Sequence, residues 1–145
     1  MITVFLATGF EEIEAIAPVD IMRRAGLDYH EFATMQVHKN WEAFLQSESP
    51  APSRMFAFTT HGQTCFSTTA FRPGDFFIFG SETKGLSPEI HNFFAEGHRI
   101  RLPMRPHNRS LNLSNSVAVG VYEVLRQWDF PELLDHGHLR DYEWK

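Results

Sequence analysis

Short apolar segments that alternate with helical patterns are the sequence feature that most constrains this fold. Five segments are rich in β-branched or aromatic residues, which is typical of buried strands: 2–7, 29–37, 55–60, 75–80 and 99–104. Helical patterns fill the intervals, at residues 10–25, 40–46, 88–95 and 113–128. The alternation predicts an α/β fold, a single three-layer domain over residues 1–145 with a mostly parallel sheet of about five strands.

Capping residues fix several of the helix boundaries. Asn40 and Ser87 are expected N-caps, because their side-chain oxygens can accept hydrogen bonds from the first turn of a helix. Pro88 fits the first turn of the following helix, where a backbone N–H is not needed. Residues 61–74 carry no clear periodicity, so an irregular connection is expected there.

The composition favours a cytoplasmic protein with one core. The chain contains 14 Phe, an excess that predicts either a densely packed sheet or a buried dimer face. Cys65 is the single cysteine, which excludes an internal disulfide and a thiolate metal cluster and fits a reducing compartment. The apolar stretch at residues 2–7 is too short to span a membrane and shows no export pattern. We therefore expect neither a membrane partner nor a bound metal.

Basic residues are concentrated in one part of an acidic chain. The net charge of −5 argues against general affinity for nucleic acids. Between residues 98 and 126 there is nevertheless one acid, Glu123, beside five arginines: Arg99, Arg101, Arg105, Arg109 and Arg126. This segment is compatible with an RNA partner and equally with solvated arginines on a surface strand and loop.

Three loops are expected to meet at one edge of the sheet. Ligands of parallel sheets collect beyond the carboxyl ends of the strands, which here lead into residues 59–60, 80–85 and 103–112. The last loop is rich in side chains that cap helices or bind polar ligands: Ser110, Asn112, Ser114 and Asn115. On composition alone a helix-capping cluster without a ligand is the simpler interpretation, and a ligand cradle is the alternative.

Five motifs follow one another in a characteristic order. They are RRAGLDYHEF (23–32), FAFTT before a glycine (56–60), FGSETKGL (79–86), IRLPM (100–104) and RSLNLSNSVAVGVYE (109–123). In this order the chain from Arg23 onward resembles the SPOUT class of RNA methyltransferases, above all the tRNA (cytidine/uridine-34 2′-O)-methyltransferases. The resemblance implies a flavodoxin- or Rossmann-like domain with a deep trefoil knot, a role in tRNA processing, and S-adenosylmethionine or S-adenosylhomocysteine as the bound cofactor.

The resemblance also implies roles for individual residues. The cofactor would be bent and held mainly by backbone groups at Phe58, Gly80, Gly85, Leu102, Ser110 and Leu111. Glu82 and Asn112 match polar positions of the family's active site and are the predicted catalytic residues. The alternatives are a surface carboxylate on a turn for Glu82 and a helix-capping amide for Asn112.

Two partners follow from the same resemblance. The family dimerises through its closing helix, which predicts a homodimer with Val117, Val121 and Tyr122 as candidate contacts. The alternative for Tyr122 is a core aromatic at helical spacing. A tRNA substrate would approach the arginine-rich face of residues 99–109.

The opening of the chain resembles a different family. VFLATGFEEIEAIAPVDIM (4–22) is similar to the first strand and helix of the flavodoxin-like ThiJ/PfpI superfamily. A joint near Arg23 predicts a chimera, engineered or arising as a natural fusion, with residues 1–26 from one parent and 27–145 from the other.

This opening lacks the arginine to which the SPOUT family assigns activation of the ribose hydroxyl. The resemblance therefore implies cofactor binding with weakened or lost catalysis, and the alternative is a structural chimera with no ligand or activity. A third hypothesis is ThiJ/PfpI-type hydrolase chemistry by Glu14 and Cys65. It is disfavoured because no glycine-rich turn opens a helix after Cys65 to activate a thiolate there.

Overall fold

A five-stranded parallel sheet forms the centre of the computed structural model, which describes residues 3–6, 36–107, 110–131 and 133. The strands are β1 (Thr3–Leu6), β2 (Met55–Phe58), β3 (Thr64–Cys65), β4 (Phe76–Phe79) and β5 (Arg99–Arg101). Their order across the sheet is β1-β4-β2-β5-β3, and each neighbouring pair is parallel. The predicted α/β class with a mostly parallel sheet of five strands is confirmed.

One strand of the sheet was not predicted. β3 lies within residues 61–74, which were expected to be irregular, and it pairs with β5 at the sheet edge. A strand of two residues is too short to show an alternating pattern in sequence. The predicted strand at 29–37 lies outside the described residues except for residues 36 and 37, which are not in a strand. The predicted helix at 10–25 also lies outside them.

Three helices begin at side-chain caps. Helix α1 (Trp41–Glu48) starts after Asn40, whose side-chain oxygen accepts a hydrogen bond from Ala43 N at 2.9 Å. Ser87 caps helix α2 (Pro88–Phe93) in the same way, as predicted. Helix α3 (Leu113–Gln127) is the closing helix. Within the described part of the chain, every helix is too short or too polar to cross a membrane.

Among the described residues, the apolar core forms two clusters, one on each face of the sheet. Alternate residues of β2 and β4 point to opposite faces, as the period of a strand requires. Phe56, Phe58, Phe77 and Phe79 pack with Val117, Val121 and Val124 of α3. Met55, Ala57 and Ile78 pack on the other face with Trp41 and Phe44 of α1, Ile90 of α2 and Phe94, which follows α2. The sheet is therefore the middle of three layers, and the phenylalanine excess serves its packing.

The position of Val117 and Val121 corrects an expectation from the sequence. Val117 is 0% exposed and Val121 is 7% exposed, because both pack against the sheet of their own chain. They are not available as contacts to a second copy. On the same helix Val119 and Tyr122 are 39% and 48% exposed, so Tyr122 is not a core residue either.

Candidate functional site

A cavity of about 310 Å³ lies beyond the carboxyl ends of β2, β4 and β5. It is lined by the ends of these strands, by the loops that follow them and by the first turn of α3. This is the edge at which parallel sheets bind ligands. The three loops that the sequence predicted to meet do meet there.

The loop after β4 forms a tight turn against itself. Ser81 N donates to Gly85 O at 3.2 Å, and Gly85 N donates to Ser81 O at 2.8 Å. Gly85 has a φ of 69°, in the left-handed region that glycine adopts without strain. The turn therefore presents the backbone of residues 80–85 to the cavity as a fixed wall.

Gly80 is required by how closely this turn folds back. A Cβ atom at Gly80 would lie 2.1 Å from the carbonyl carbon of Gly85 and 2.2 Å from Leu86 N. No side chain fits in that space unless the backbone moves, because non-bonded carbon atoms pack at about 3.5–4.0 Å. Gly80 thus permits the close approach of the two ends of the turn, and Gly85 permits its positive φ.

The side chain of Asn112 joins the loop before α3 to this wall. Asn112 Oδ1 accepts from Asn115 N at 3.3 Å, which caps α3. The amide nitrogen of Asn112 donates to Glu82 Oε1 at 2.9 Å. Asn112 therefore acts as the expected cap, and Glu82 is part of a contact between two loops that are 30 residues apart in sequence.

The predicted site residues lie together. The cavity lining includes all six predicted cofactor positions and Glu82, that is, Phe58, Gly80, Gly85, Leu102, Ser110, Leu111 and Glu82. Asn112 is outside the lining but donates a hydrogen bond to Glu82. Ser114 and Asn115, which were singled out with this loop, are also outside the lining.

Several lining residues were not predicted from the sequence. His61 follows the end of β2, and His91 comes from α2, with their ring centroids 6.1 Å apart. His91 Nε2 has no hydrogen-bond partner among the described residues. The position of His61 after a strand end was a usable signal. His91 belongs to a six-residue helix and only the tertiary fold brings it to the cavity.

The arginines of residues 99–126 do not form one uniform face. Arg101 and Arg105 are exposed, whereas Arg99 is half-buried. Arg126 pairs with the buried Glu123 through two hydrogen bonds of 2.8 Å. These bonds hold the pKa of Glu123 below its usual value. The charge of Arg126 is therefore neutralised by Glu123 of the same helix. Arg109 lies outside the described residues.

Cys65 lies away from the cavity. Its sulfur is 3.2 Å from Ser67 Oγ, and this contact lowers the pKa of the thiol. Glu14, the proposed partner of Cys65, lies outside the described residues. Among the residues that the structure describes, no three His, Cys, Asp or Glu side chains lie close enough to hold a metal ion.

Comparisons with known proteins show which family this chain resembles. The model of the SpoU rRNA Methylase family matches residues 6–122. A tRNA (cytidine(34)-2′-O)-methyltransferase of Burkholderia pseudomallei is 62% identical over 109 residues, which are 75% of this chain and 70% of that protein. The protein of the same name from Escherichia coli K12 is 46% identical over 110 residues, 76% of this chain and 69% of that one.

Solved structures show the same fold. A structure described as giving insights into the 2′-OH methylation of C/U34 on tRNA has a TM-score of 0.73 and 28% identity, covering 89% of this chain and 97% of that chain. An AdoMet-bound rRNA methyltransferase from Sinorhizobium meliloti has a TM-score of 0.70 and 18% identity, covering 86% of this chain and 56% of that chain. At that identity the second likeness shows the fold alone.

The matches give no support to a second parent for the opening. The family model begins at residue 6 and so includes most of the segment that resembles the ThiJ/PfpI superfamily. The matched region also contains every residue that lines the cavity, from Phe58 to Ser116. With a family model that covers most of its length and relatives of high identity, the chain belongs to the SpoU rRNA methylase family.

Proposed function

We propose that this chain transfers a methyl group from S-adenosylmethionine to the ribose 2′-hydroxyl of the wobble nucleoside of tRNA, cytidine 34. The observation that carries the proposal is the convergence of three loops, after β2, β4 and β5, on one cavity. The names of relatives at 62% and 46% identity support the choice of tRNA and of nucleotide 34.

The cavity suits an adenosyl ligand in size and in chemistry. A volume of about 310 Å³ falls in the range of small-molecule sites, about 300–1,000 Å³. Apolar side chains such as Phe58, Leu102 and Leu111 line it beside the backbone of Gly80 and Gly85. These residues, with Ser110, would hold S-adenosylmethionine, which supplies an electrophilic methyl group on a sulfonium when it is bound.

In this proposal Glu82 and Asn112 would orient the acceptor. One oxygen of the Glu82 carboxylate accepts from Asn112, and the other has no hydrogen bond within the described residues. That oxygen can accept a hydrogen bond from a ribose hydroxyl, which would align the hydroxyl and polarise its O–H bond. Asn112 acts through Glu82, since its amide fixes one of the two carboxylate oxygens.

Basic side chains near the cavity would contact the RNA backbone. Lys84 lines the cavity, and Arg101 and Arg105 are exposed on the segment that follows into the third loop. Lys and Arg side chains neutralise phosphates without reading sequence, so this surface would position tRNA rather than select the base.

A second candidate is cofactor binding with weakened methyl transfer. It is favoured by the sequence of residues 4–22, which lacks the motif that carries the activating arginine in the resembling family. Under this alternative the cavity would bind S-adenosylhomocysteine normally, while the rate of transfer to tRNA would be low.

Two assays on the same preparation separate these candidates. Calorimetry measures binding of S-adenosylhomocysteine, and transfer of labelled methyl measures activity on tRNA with cytidine at position 34. The matched substrate carries 2′-deoxycytidine at that position and has no hydroxyl to accept the group. We expect binding, with label transferred to the first tRNA only. Binding without transfer would favour the second candidate, and equal labelling of both tRNAs would refute the assigned acceptor.

Two further features implied by the resemblance stay predictions. One is the deep trefoil knot. The other is a homodimer through α3, for which we propose the exposed Val119 and Tyr122 as contacts in place of the buried valines. Sedimentation of the wild-type chain and of Tyr122→Lys tests this proposal. We expect the wild-type chain to sediment as a dimer and the variant as a monomer.

A further inference from the structure

The loop after β2 is a wall of the cavity that the neighbouring strand holds in place. Thr59, Thr60 and His61 line the cavity. Thr59 N donates to Ile100 O of β5 at 2.9 Å, and Gly62 N donates to Thr59 O at 3.2 Å. The wall is therefore anchored to β5 at its beginning and closed into a turn at its end.

Gly62 brings the end of this turn against β5. A Cβ atom at Gly62 would lie 2.6 Å from the carbonyl oxygen of Arg99 and 2.8 Å from the carbonyl carbon of Ile100. Only a residue without a side chain permits that approach. The backbone contacts thus fix both ends of the turn, and Thr60, one of its two middle residues, is exposed.

Arg101 holds that middle residue. Its guanidinium donates a hydrogen bond to the carbonyl oxygen of Thr60. Arg101 itself is exposed on β5, in the same basic segment as Arg105. A guanidinium has five N–H donors, so one bond to Thr60 leaves others for a phosphate.

We propose that Arg101 is a positioning residue for the cofactor cavity as well as a cation on the RNA-facing surface. By holding the carbonyl of Thr60, it keeps the turn of residues 59–62 in the shape that the ligand meets. Arg105 carries the same charge nearby and makes no hydrogen bond within the described residues. The two arginines carry the same charge, and only Arg101 of the pair makes a hydrogen bond to the turn of residues 59–62.

The test compares Arg101→Met with Arg105→Met, which removes an equal charge. This inference rests on the proposed function, so the affinity of the wild-type chain for S-adenosylhomocysteine is measured first, by calorimetry without RNA. We expect Arg101→Met to weaken this affinity about threefold to tenfold, the equivalent of one hydrogen bond. Arg105→Met should leave it unchanged, while both variants weaken binding of tRNA.

A third variant, Arg101→Gln, removes the charge, as Arg101→Met does, but keeps a side-chain N–H donor for Thr60. It should bind S-adenosylhomocysteine more tightly than Arg101→Met, a rescue that a loss of surface charge alone would not give. Thermal unfolding of the three variants checks that each retains the fold. Equal affinity of Arg101→Met and Arg105→Met for S-adenosylhomocysteine would overturn the inference. Absence of binding by the wild-type chain would instead overturn the proposed function.

Discussion

Gly80→Ala is the substitution by which the cavity can be tested most directly. The added Cβ would lie 2.1 Å from the carbonyl carbon of Gly85, and ordinary contact needs about 3.5 Å. The turn must therefore move by roughly 1.4 Å. Such a shift would break the two hydrogen bonds between Ser81 and Gly85, each contributing about 0.5–1.5 kcal/mol. If the ligand must restore the turn, its affinity falls by about fivefold to a hundredfold.

Two other glycines provide graded controls for that experiment. Gly85→Ala has open space around the new Cβ but must hold a φ of 69°, which costs about 1–2 kcal/mol. Gly97→Ala meets no atom within 4 Å and has no positive φ, so its effect should stay within about 0.5 kcal/mol. Calorimetry with S-adenosylhomocysteine should show the largest loss of affinity for the Gly80 variant, a smaller loss for the Gly85 variant and the smallest for the Gly97 variant. Urea unfolding measures the stability of each variant. A folded Gly80→Ala variant that binds within about twofold of the wild type would refute the steric argument.

Three other substitutions test separate features of the molecule. Glu82→Gln should lower kcat for tRNA methylation by about tenfold or more with little change in cofactor affinity, whereas the exposed Glu89→Gln on α2 should leave kcat unchanged. Gln127→Ala removes three hydrogen bonds, two of them to the chain before β4, and should lower the free energy of unfolding by about 1–3 kcal/mol. Because hydrogen bonds from Arg126 lower the pKa of Glu123, that carboxylate stabilises the fold above its unfolded pKa, and the contribution is lost as the pH falls through the folded pKa. Urea unfolding should therefore show a smaller difference between the wild type and Glu123→Gln near roughly pH 3 than at neutral pH.

The helix starts and the position of the cavity followed from the sequence because both depend on local chemistry. Asn40 and Ser87 cap helices as their side chains predict. The loops after three apolar segments meet because strands of a parallel sheet end at the same edge. These features need no knowledge of which residues are close in space.

Features that depend on tertiary contacts could not be predicted from the sequence. The hydrogen bond between Glu82 and Asn112 joins two separate loops, and no local pattern distinguishes it from a simple cap. The family resemblance predicted an interface at α3 with Val117 among its contacts, but helical periodicity does not say whether Val117 faces its own sheet or another copy. β3 is two residues long and pairs with β5, and no local pattern at Thr64 and Cys65 indicates that pairing.

The double role of Asn112 makes this site sensitive to chemical ageing. Deamidation of Asn112 would produce an aspartate, which caps a helix as well as asparagine does. Helix α3 would therefore keep its first turn and the fold would survive. The new carboxylate would nevertheless face Glu82, with repulsion where the amide now donates a hydrogen bond. A single hydrolysed amide would thus weaken the contact between two loops of the cavity while helix α3 keeps its cap.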